Sequence, residues 1–251
     1  MISKLVITDL TRMQGGRVCI AGYDTEDHRC IRPTLPPPGI PENILYKSNK
    51  VVVHPFAEIE LELLKPDSQP PHTEDYRFNP YSIHYLNTIR DRQAVLEWSL
   101  FDSVTSLFEQ PIYTDVGYSV MDCQGPRSLG TIRPQTIISV IYEPNYEGAW
   151  DYRLHFVDES GEAYRLKITD LTWQYYCQSL RGPTAEPKII ADELTNRLRN
   201  SKVYLRIGLA RGWEKFPDRC FLQITGVYNF PDYLDGRIFA DFITNKPQLR
   251  K

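Results

Sequence analysis

The sequence predicts a mainly β protein with a few helices, in which two related β units pack into one compact unit. Three observations predict this fold class. Runs in which apolar and polar residues alternate recur along the 251 residues. One seven-residue string occurs twice in nearly the same form. The composition, with 19 Pro and 16 Tyr but only 14 Gly and 3 Met, is typical of a strand-rich, heavily turned chain rather than a helical bundle.

The strand pattern places apolar residues at every second position, which is the period of a strand with one buried face. In Ala57–Leu64, three glutamates alternate with apolar residues, and we expect an edge strand whose charges prevent further pairing. Nine segments carry the pattern: Lys4–Thr8, Arg17–Tyr23, Arg29–Arg32, Ala57–Leu64, Gln135–Tyr142, Tyr152–Val157, Tyr164–Ile168, Lys202–Leu209 and Cys220–Phe230.

Helical patterns are fewer than strand patterns. Asp91 can cap a helix that runs through Phe101, and Ile189–Arg199 has apolar residues at four-residue spacing. Long proline-bearing loops are expected at Pro33–Pro41 and Pro66–Pro80. Loops of this length usually line a site or an interface, so both are places to look for function.

The repeated string is Leu5–Thr11, which matches Leu166–Thr172 at six of seven positions. In each copy we expect a strand to end where the Asp and Thr side chains can hydrogen-bond the backbone. The two copies are therefore predicted to occupy equivalent places in two β units. We assign residues 1–143 to a first unit with a helical insertion and residues 144–251 to a second, with the seam near Tyr142–Gly148.

The charge balance excludes a strongly basic protein. Lys and Arg total 29 against 32 Asp and Glu, a formal net charge of -3, so any surface that binds a polyanion must be a local patch. The five cysteines are widely spaced and predicted to be free thiols, with no metal bound among them. No apolar run is long enough to span a bilayer, so we expect a cytoplasmic protein without membrane association.

The familiar catalytic motifs are missing from the sequence. There is no phosphate-binding Gly-Lys-Ser or Gly-Lys-Thr, no pair of histidines at helical ligand spacing and no Gly-x-Ser-x-Gly elbow. No cofactor is therefore expected. The sequence does not decide whether the chain is an enzyme, although the missing motifs favour a protein that is not one.

The densest cluster of titratable residues lies in the long Pro66–Pro80 loop, at His72, Glu74, Asp75 and Tyr76. Carboxylates beside an imidazole can support acid–base chemistry or bind a cation. The alternative is a hydrogen-bonded turn with a solvated histidine. The position in a long loop makes this cluster a candidate site.

A second candidate site combines Arg211 and Trp213 at the end of the Lys202–Leu209 strand with Arg32 and Arg133. A guanidinium and an indole supply a fork for phosphate and a plane for base stacking, the two components of a single-stranded nucleic-acid groove. The alternative is that the arginines pair with carboxylates and Trp213 packs in the core.

Several strings together resemble the dual OB-containing domain family of prokaryotes. The opening strings are Lys4–Arg12, Arg17–Gly22 and Cys30–Pro33, and the later ones are His72–Asp75, Gly208–Arg211 and Phe230–Leu234. The resemblance covers nearly the whole chain. It implies two OB-like β-barrels, a nucleic-acid-binding role often linked to defence against mobile elements, and no catalytic residues. An OB barrel binds oligonucleotides through its open face and loops.

The sequence therefore favours a non-catalytic module that binds single-stranded or structured nucleic acid. Such a module could act as an adaptor or sensor that hands information to a partner enzyme in a defence system. One alternative is a structural subunit that binds protein alone. Another is a metal-dependent hydrolase of nucleic acid or nucleotide that acts through His72, Glu74 and Asp75.

Overall fold

The computed structural model describes residues 1–144, 150–181 and 186–243, and its first third forms one sheet. A separate two-stranded ribbon, β5–β6, branches from this part of the chain. The strands are β1 (Ile2–Met13), β2 (Arg17–Asp24), β3 (Cys30–Thr34), β4 (Ile40–Pro41), β5 (Tyr46–Lys47), β6 (Lys50–Val51), β7 (Ala57–Pro66), β8 (Asp75–Phe78) and β9 (His84–Thr88).

Five of these strands close into a barrel. The order is β1-β2-β3-β8-β7, and β7 pairs with β1 to complete the ring. The β3–β8 pair is parallel and the other pairs are antiparallel. Alternate side chains of β1, β2 and β7 fill the interior, among them Leu5, Ile20 and Ile59. The strand patterns of the sequence therefore identify four of the five barrel strands, β1, β2, β3 and β7.

Two expectations for this region are wrong. β8 lies inside the predicted Pro66–Pro80 loop, where it supplies the strand that closes the ring on β3. β7 is not a charge-protected edge, because it pairs with β1, β8 and β9. Two of its glutamates accept hydrogen bonds from side-chain amides instead, Glu58 from Asn87 and Glu62 from Asn79.

The second sheet begins after residue 99 and has eight strands. The described residues include four α-helices, two of them between β15 and β16. The strands are β10 (Leu100–Phe101), β11 (Ser119–Met121), β12 (Leu129–Ile132), β13 (Thr136–Pro144), β14 (Trp150–Val157), β15 (Ala163–Ile168), β16 (Lys202–Ala210) and β17 (Arg219–Phe230). The helices are α1 (Arg92–Glu97), α2 (Val104–Phe108), α3 (Leu171–Leu180) and α4 (Pro187–Arg199).

Five strands of this sheet repeat the order of the barrel. They run β13-β14-β15-β17-β16, again with one parallel pair, β15–β17. Within the described ranges β13 does not hydrogen-bond β16, so this second unit stays open where the first is closed. α4 packs against β13 and covers the open side. The predicted fold class, mainly β with a few helices and two OB-like units, is confirmed.

The repeated string does not mark equivalent strands. Leu5–Thr11 lies in the first strand of its unit, and β1 continues to Met13. Leu166–Thr172 ends the third strand of its unit, where Asp170 accepts hydrogen bonds from the backbone N–H groups of Thr172 and Trp173 and caps α3. The two copies instead meet each other, because Thr11 and Asp170 form an antiparallel bridge, next to which the Arg12 N–H donates to the Thr169 carbonyl at 2.8 Å.

The domain boundary at residues 143 and 144 stays a prediction, and part of the seam lies outside the described residues. β13 runs to Pro144 and pairs with β14 on both sides of that boundary. The predicted helix from Asp91 begins as expected but ends at Glu97, before Phe101, and α4 matches its prediction. All five cysteines are free thiols, as predicted. Among the described residues, no helix has the length and apolarity to cross a membrane.

A buried ion pair joins the two units. Arg206 of β16 donates from Nη2 to Asp9 Oδ2 of β1 at 2.9 Å, and neither side chain is exposed. Both sheets contain a β-bulge at this point: Thr8 is unpaired on β1 and Thr225 on β17. The two threonine hydroxyls donate to the Asp9 carboxylate at 2.8 and 2.5 Å. The bulges thus orient the side chains of Thr8 and Thr225 toward the buried Asp9 carboxylate.

We expect Arg206→Met to lower the free energy of unfolding by about 3–5 kcal/mol, because it leaves the Asp9 carboxylate buried without a cation. Urea denaturation measures this loss. Lys188→Ala, which removes an exposed pair with Asp192, is the control and should change stability by less than about 0.5 kcal/mol. If Arg206→Met is no more damaging than this control, the ion pair does not organise the interface between the units.

Candidate functional site

The loop that leads into β8 carries the predicted titratable cluster onto the second unit. The Thr73 hydroxyl donates to the Pro126 carbonyl at 2.7 Å. The Glu74 carboxylate accepts from the backbone N–H groups of Ser128 and Leu129 at 2.7 and 3.2 Å, and from the Ser128 hydroxyl at 2.9 Å. Burial raises the pKa of Glu74. This side chain therefore connects the barrel to β12.

Asp75 lies between two arginines. The parallel register of β3 and β8 places Arg32 opposite Asp75, and Arg32 Nε donates to Asp75 Oδ1 at 2.5 Å. The other carboxylate oxygen accepts from Nη2 of Arg211, at the end of β16. Asp75 and Arg32 are buried, whereas the Arg211 side chain is 58% exposed. One carboxylate thus holds a buried and an exposed guanidinium.

His72 is buried beside the sulfur of Cys220. Its Nε2 lies 3.7 Å from Cys220 Sγ, and the same sulfur lies 3.3 Å from Asp122 Oδ1. Burial, together with the charges of Arg32 and Arg211, lowers the pKa of His72 to about 2, so the imidazole is neutral at physiological pH. Burial and the adjacent Asp122 raise the pKa of Cys220 to about 12.

Trp213 lies in the loop between β16 and β17, and its side chain is not part of the core. The residue is 54% exposed, and its ring meets the edge of Phe216 with centroids 5.4 Å apart. The Phe216 N–H donates to the Trp213 carbonyl at 2.7 Å and closes a tight turn. A Cβ on Gly212 would lie 2.6 Å from the Pro217 carbonyl oxygen, so this turn requires glycine.

Two predicted site residues remain. Arg133 lies apart from this cluster, and Tyr76 lies at its margin. Arg133 is exposed and directly follows Ile132, which pairs with Leu205 at one end of β12. The cluster lies at the other end of this strand, near Leu129, which pairs with Gly208. The separation along β12 is about 13 Å. Tyr76 is half-buried on β8, and the Arg29 guanidinium lies 5.8 Å from its ring centroid. Tyr76 contributes packing there.

The structure brings the two candidate sites of the sequence together into one. His72 and Glu74 come from the β7–β8 loop and Asp75 begins β8, where its carboxylate connects them to Arg32 and Arg211. The carboxylates of Glu74 and Asp75 are occupied by N–H, hydroxyl and guanidinium donors, which does not favour their use as catalytic acids or bases. Sequence reasoning missed three partners, Asp122, Ser128 and Cys220. No local motif marks them, because Asp122 follows β11, Ser128 precedes β12 and Cys220 lies in β17.

The closed barrel, the second unit of the same strand order and the loop cluster between them define a protein of two OB-type units. The model of the dual OB-containing domain family matches residues 4–227, and the chain belongs to that family. No curated protein matches the chain. A solved structure, described as a murine DNA-binding protein bound with double-stranded DNA, is 9% identical and covers 90% of this chain and 99% of that one. Its TM-score of 0.31 is too low to support an argument about either protein.

The buried imidazole predicts a pH-dependent stability. In the native state His72 stays neutral, whereas in the unfolded chain its imidazole takes up a proton below the ordinary pKa of 6.5. The contribution of His72 to the free energy of unfolding is therefore lost as the pH falls through this value. His72→Gln should therefore destabilise the protein less at pH 5 than at pH 7.5, by about 2 kcal/mol. Urea denaturation in EDTA, which removes adventitious metal, measures both values.

The matched control for this experiment is His84→Gln, which removes an exposed imidazole from β9. Its effect should be small and similar at the two pH values. An equal cost of His72→Gln at pH 5 and pH 7.5 would contradict a neutral, buried His72.

Proposed function

We propose that this protein is a non-catalytic nucleic-acid-binding module that contacts single-stranded or structured nucleic acid through Arg211, Trp213 and Lys215. These three residues are called the hairpin surface, since all lie in the loop between β16 and β17. The observation that carries the proposal is the adjacent placement of an exposed guanidinium and an exposed indole on a loop of an OB-type unit. Membership of the dual OB-containing domain family supports the same class of ligand.

Arg211 has the features of a preorganised phosphate contact. Only its Nη2 is committed to Asp75, and more than half of the side chain faces solvent. The remaining N–H donors of a guanidinium form a planar fork that matches phosphate oxygens. Because Asp75 is held by the buried Arg32, Arg211 loses little conformational freedom on binding.

Trp213 supplies the stacking plane. Its neighbour Phe216 packs edge-on and the tight turn holds the backbone, so the indole is presented to solvent by a rigid loop. An aromatic face stacks on any base, which gives affinity without sequence preference. The exposed Lys215 in the same loop adds a second cation. The formal net charge of -3 then agrees with binding confined to a local surface.

Arg32 and Arg133 have different roles in this proposal. Arg32 is buried, and its contribution is to position Asp75 and through it Arg211. Arg133 is exposed about 13 Å away along β12, where it would extend the contact to a neighbouring phosphate.

The biological setting is a further part of the proposal. We infer an adaptor or sensor in a prokaryotic defence system, which reports bound nucleic acid to a partner enzyme, and the support for it is the family resemblance alone. The five free thiols favour a reducing compartment such as the cytoplasm.

Two substitutions separate the electrostatic and stacking contributions. Arg211→Ala should weaken binding to all sequences and reduce the slope of log affinity against log salt by about 0.7, the value of one phosphate contact on a single strand. Trp213→Ala should cost about 1–3 kcal/mol with little change in that slope. Fluorescence anisotropy with labelled DNA and RNA strands of about 30 nucleotides, enough for two OB units, gives both quantities.

The controls are residues of the same type elsewhere on the surface. Arg165→Ala on β15 and Tyr81→Ala, whose ring is among the most exposed, should leave affinity and salt slope unchanged. The absence of binding by the unmodified protein at low salt would overturn the proposal. So would equal losses from the control and test variants, since binding would then not depend on the hairpin surface.

A further inference from the structure

We propose that His72, Asp122 and Cys220 form a binding site for one divalent cation of the zinc class. The three ligand atoms of these side chains lie within 4.8 Å of one another. This site is beside the hairpin surface but does not include it, and the inference does not depend on nucleic-acid binding.

The spacing of the ligand atoms fits tetrahedral coordination. Zinc–sulfur bonds of about 2.3 Å and zinc–nitrogen or zinc–oxygen bonds of about 2.0–2.1 Å, at tetrahedral angles, separate the ligand atoms by about 3.5 Å. Here Cys220 Sγ lies 3.7 Å from His72 Nε2 and 3.3 Å from Asp122 Oδ1. A thiolate, an imidazole and a carboxylate also form a ligand set that suits zinc better than magnesium or calcium.

The backbone holds the ligands in place before any ion arrives. β11 pairs with β17, with Val120 opposite Cys220, and Asp122 follows directly after β11. The Asp122 N–H donates to the Asp218 carbonyl at 2.9 Å, which fixes the turn that carries the carboxylate. His72 reaches this pair from the barrel, on the loop that Glu74 and Asp75 tie down. Two ligands thus come from one rigid sheet and the third from a tethered loop.

The surroundings of the His72 imidazole indicate that this side chain binds a ligand. His72 is only 2% exposed, and its Nδ1 has no hydrogen-bond partner among the residues that the structure describes. The contact of its Nε2 with a sulfur is weak. A buried imidazole that gains so little from hydrogen bonds is unusual in a structural role. A metal ion bound at Nε2 would replace this weak sulfur contact with a coordinate bond, and Nδ1 would then carry the ring proton.

The charges of the surrounding groups also match a divalent cation. Once Cys220 releases its proton to the solvent on binding the ion, its thiolate and three carboxylates (Glu74, Asp75 and Asp122) carry four negative charges, against two positive charges on Arg32 and Arg211. The sum is -2, which one divalent cation neutralises.

Three protein ligands leave one tetrahedral position for water or a ligand group. Because Gly212 packs closely against the backbone carbonyl of Arg219, the residue before the coordinating Cys220, a bound ion would brace the turn that presents Trp213. The site would therefore link the barrel loop, β11 and the hairpin surface through a single ion.

Cobalt is the probe for this site, because zinc is spectroscopically silent and cobalt gives a near-ultraviolet charge-transfer band when bound to thiolate. The full chain is stripped with a chelator, kept reduced with a phosphine and titrated with Co²⁺. We expect the band to saturate at one equivalent and to disappear when Zn²⁺ is added. Cys220→Ser should abolish the band, whereas His72→Gln and Asp122→Asn should weaken cobalt affinity at least tenfold.

Cys123→Ser is the matched control, since Cys123 is exposed and adjacent to Asp122. It should keep the full band. Thermal melts verify the fold of each variant, and Asp122→Asn, at a half-buried position, tests the site if Cys220→Ser does not fold. The proposal is overturned if the unmodified chain shows no charge-transfer band. It is also overturned if Cys220→Ser keeps the band or if Cys123→Ser loses it.

Discussion

The buried ion pair between Asp9 and Arg206 is the constraint on which the arrangement of the two units depends. Each ion loses its hydration in the interior, at a cost of several kcal/mol, and only a well-placed partner offsets that cost. Arg206 also donates to the hydroxyls of Tyr23 and Thr131, so its remaining N–H groups are satisfied as well. The units can therefore pack in few ways, because a shift of either sheet would leave a charge without its partners.

The loop before β8 makes a second set of polar contacts between the units, nearer the surface. Glu74 anchors it to β12, and Asp75 joins the barrel arginine Arg32 to Arg211 of the second unit. This segment thereby adds a second constraint on the position of the hairpin surface relative to the barrel. Any ligand that contacts both units meets a surface whose shape is already set.

The sequence predicts the strands of six or more residues well, because burial on one face of a strand leaves a local alternation of apolar and polar residues. It predicts β8 poorly, because four residues in a proline-rich segment are too few to show a clear alternation, and the buried residue at the start of this strand is the charged Asp75. It also misassigns the second copy of the repeat, because the same Asp side chain that can end a strand caps α3. A short string does not distinguish these two uses.

The chemical types at the site are predictable from sequence, but their partners are not. His72, Asp75 and Arg211 stand out as titratable or stacking-associated residues in loops. Their pairing depends on the parallel register of β3 and β8 and on contacts between residues as far apart as His72 and Cys220, 148 positions along the chain. Such distances leave no local pattern, so the cluster emerges only when the two sheets are in place.

The separation of Asp9 and Arg206 by 197 positions has a consequence for biosynthesis. A ribosome that adds about 5–20 residues per second needs about 10–40 s to translate this interval. Throughout that time the nascent barrel contains an aspartate that must stay hydrated, because its guanidinium partner does not yet exist. The barrel strand β1 therefore cannot adopt its final buried environment until nearly the whole chain has been made, and the last steps of folding for both units coincide.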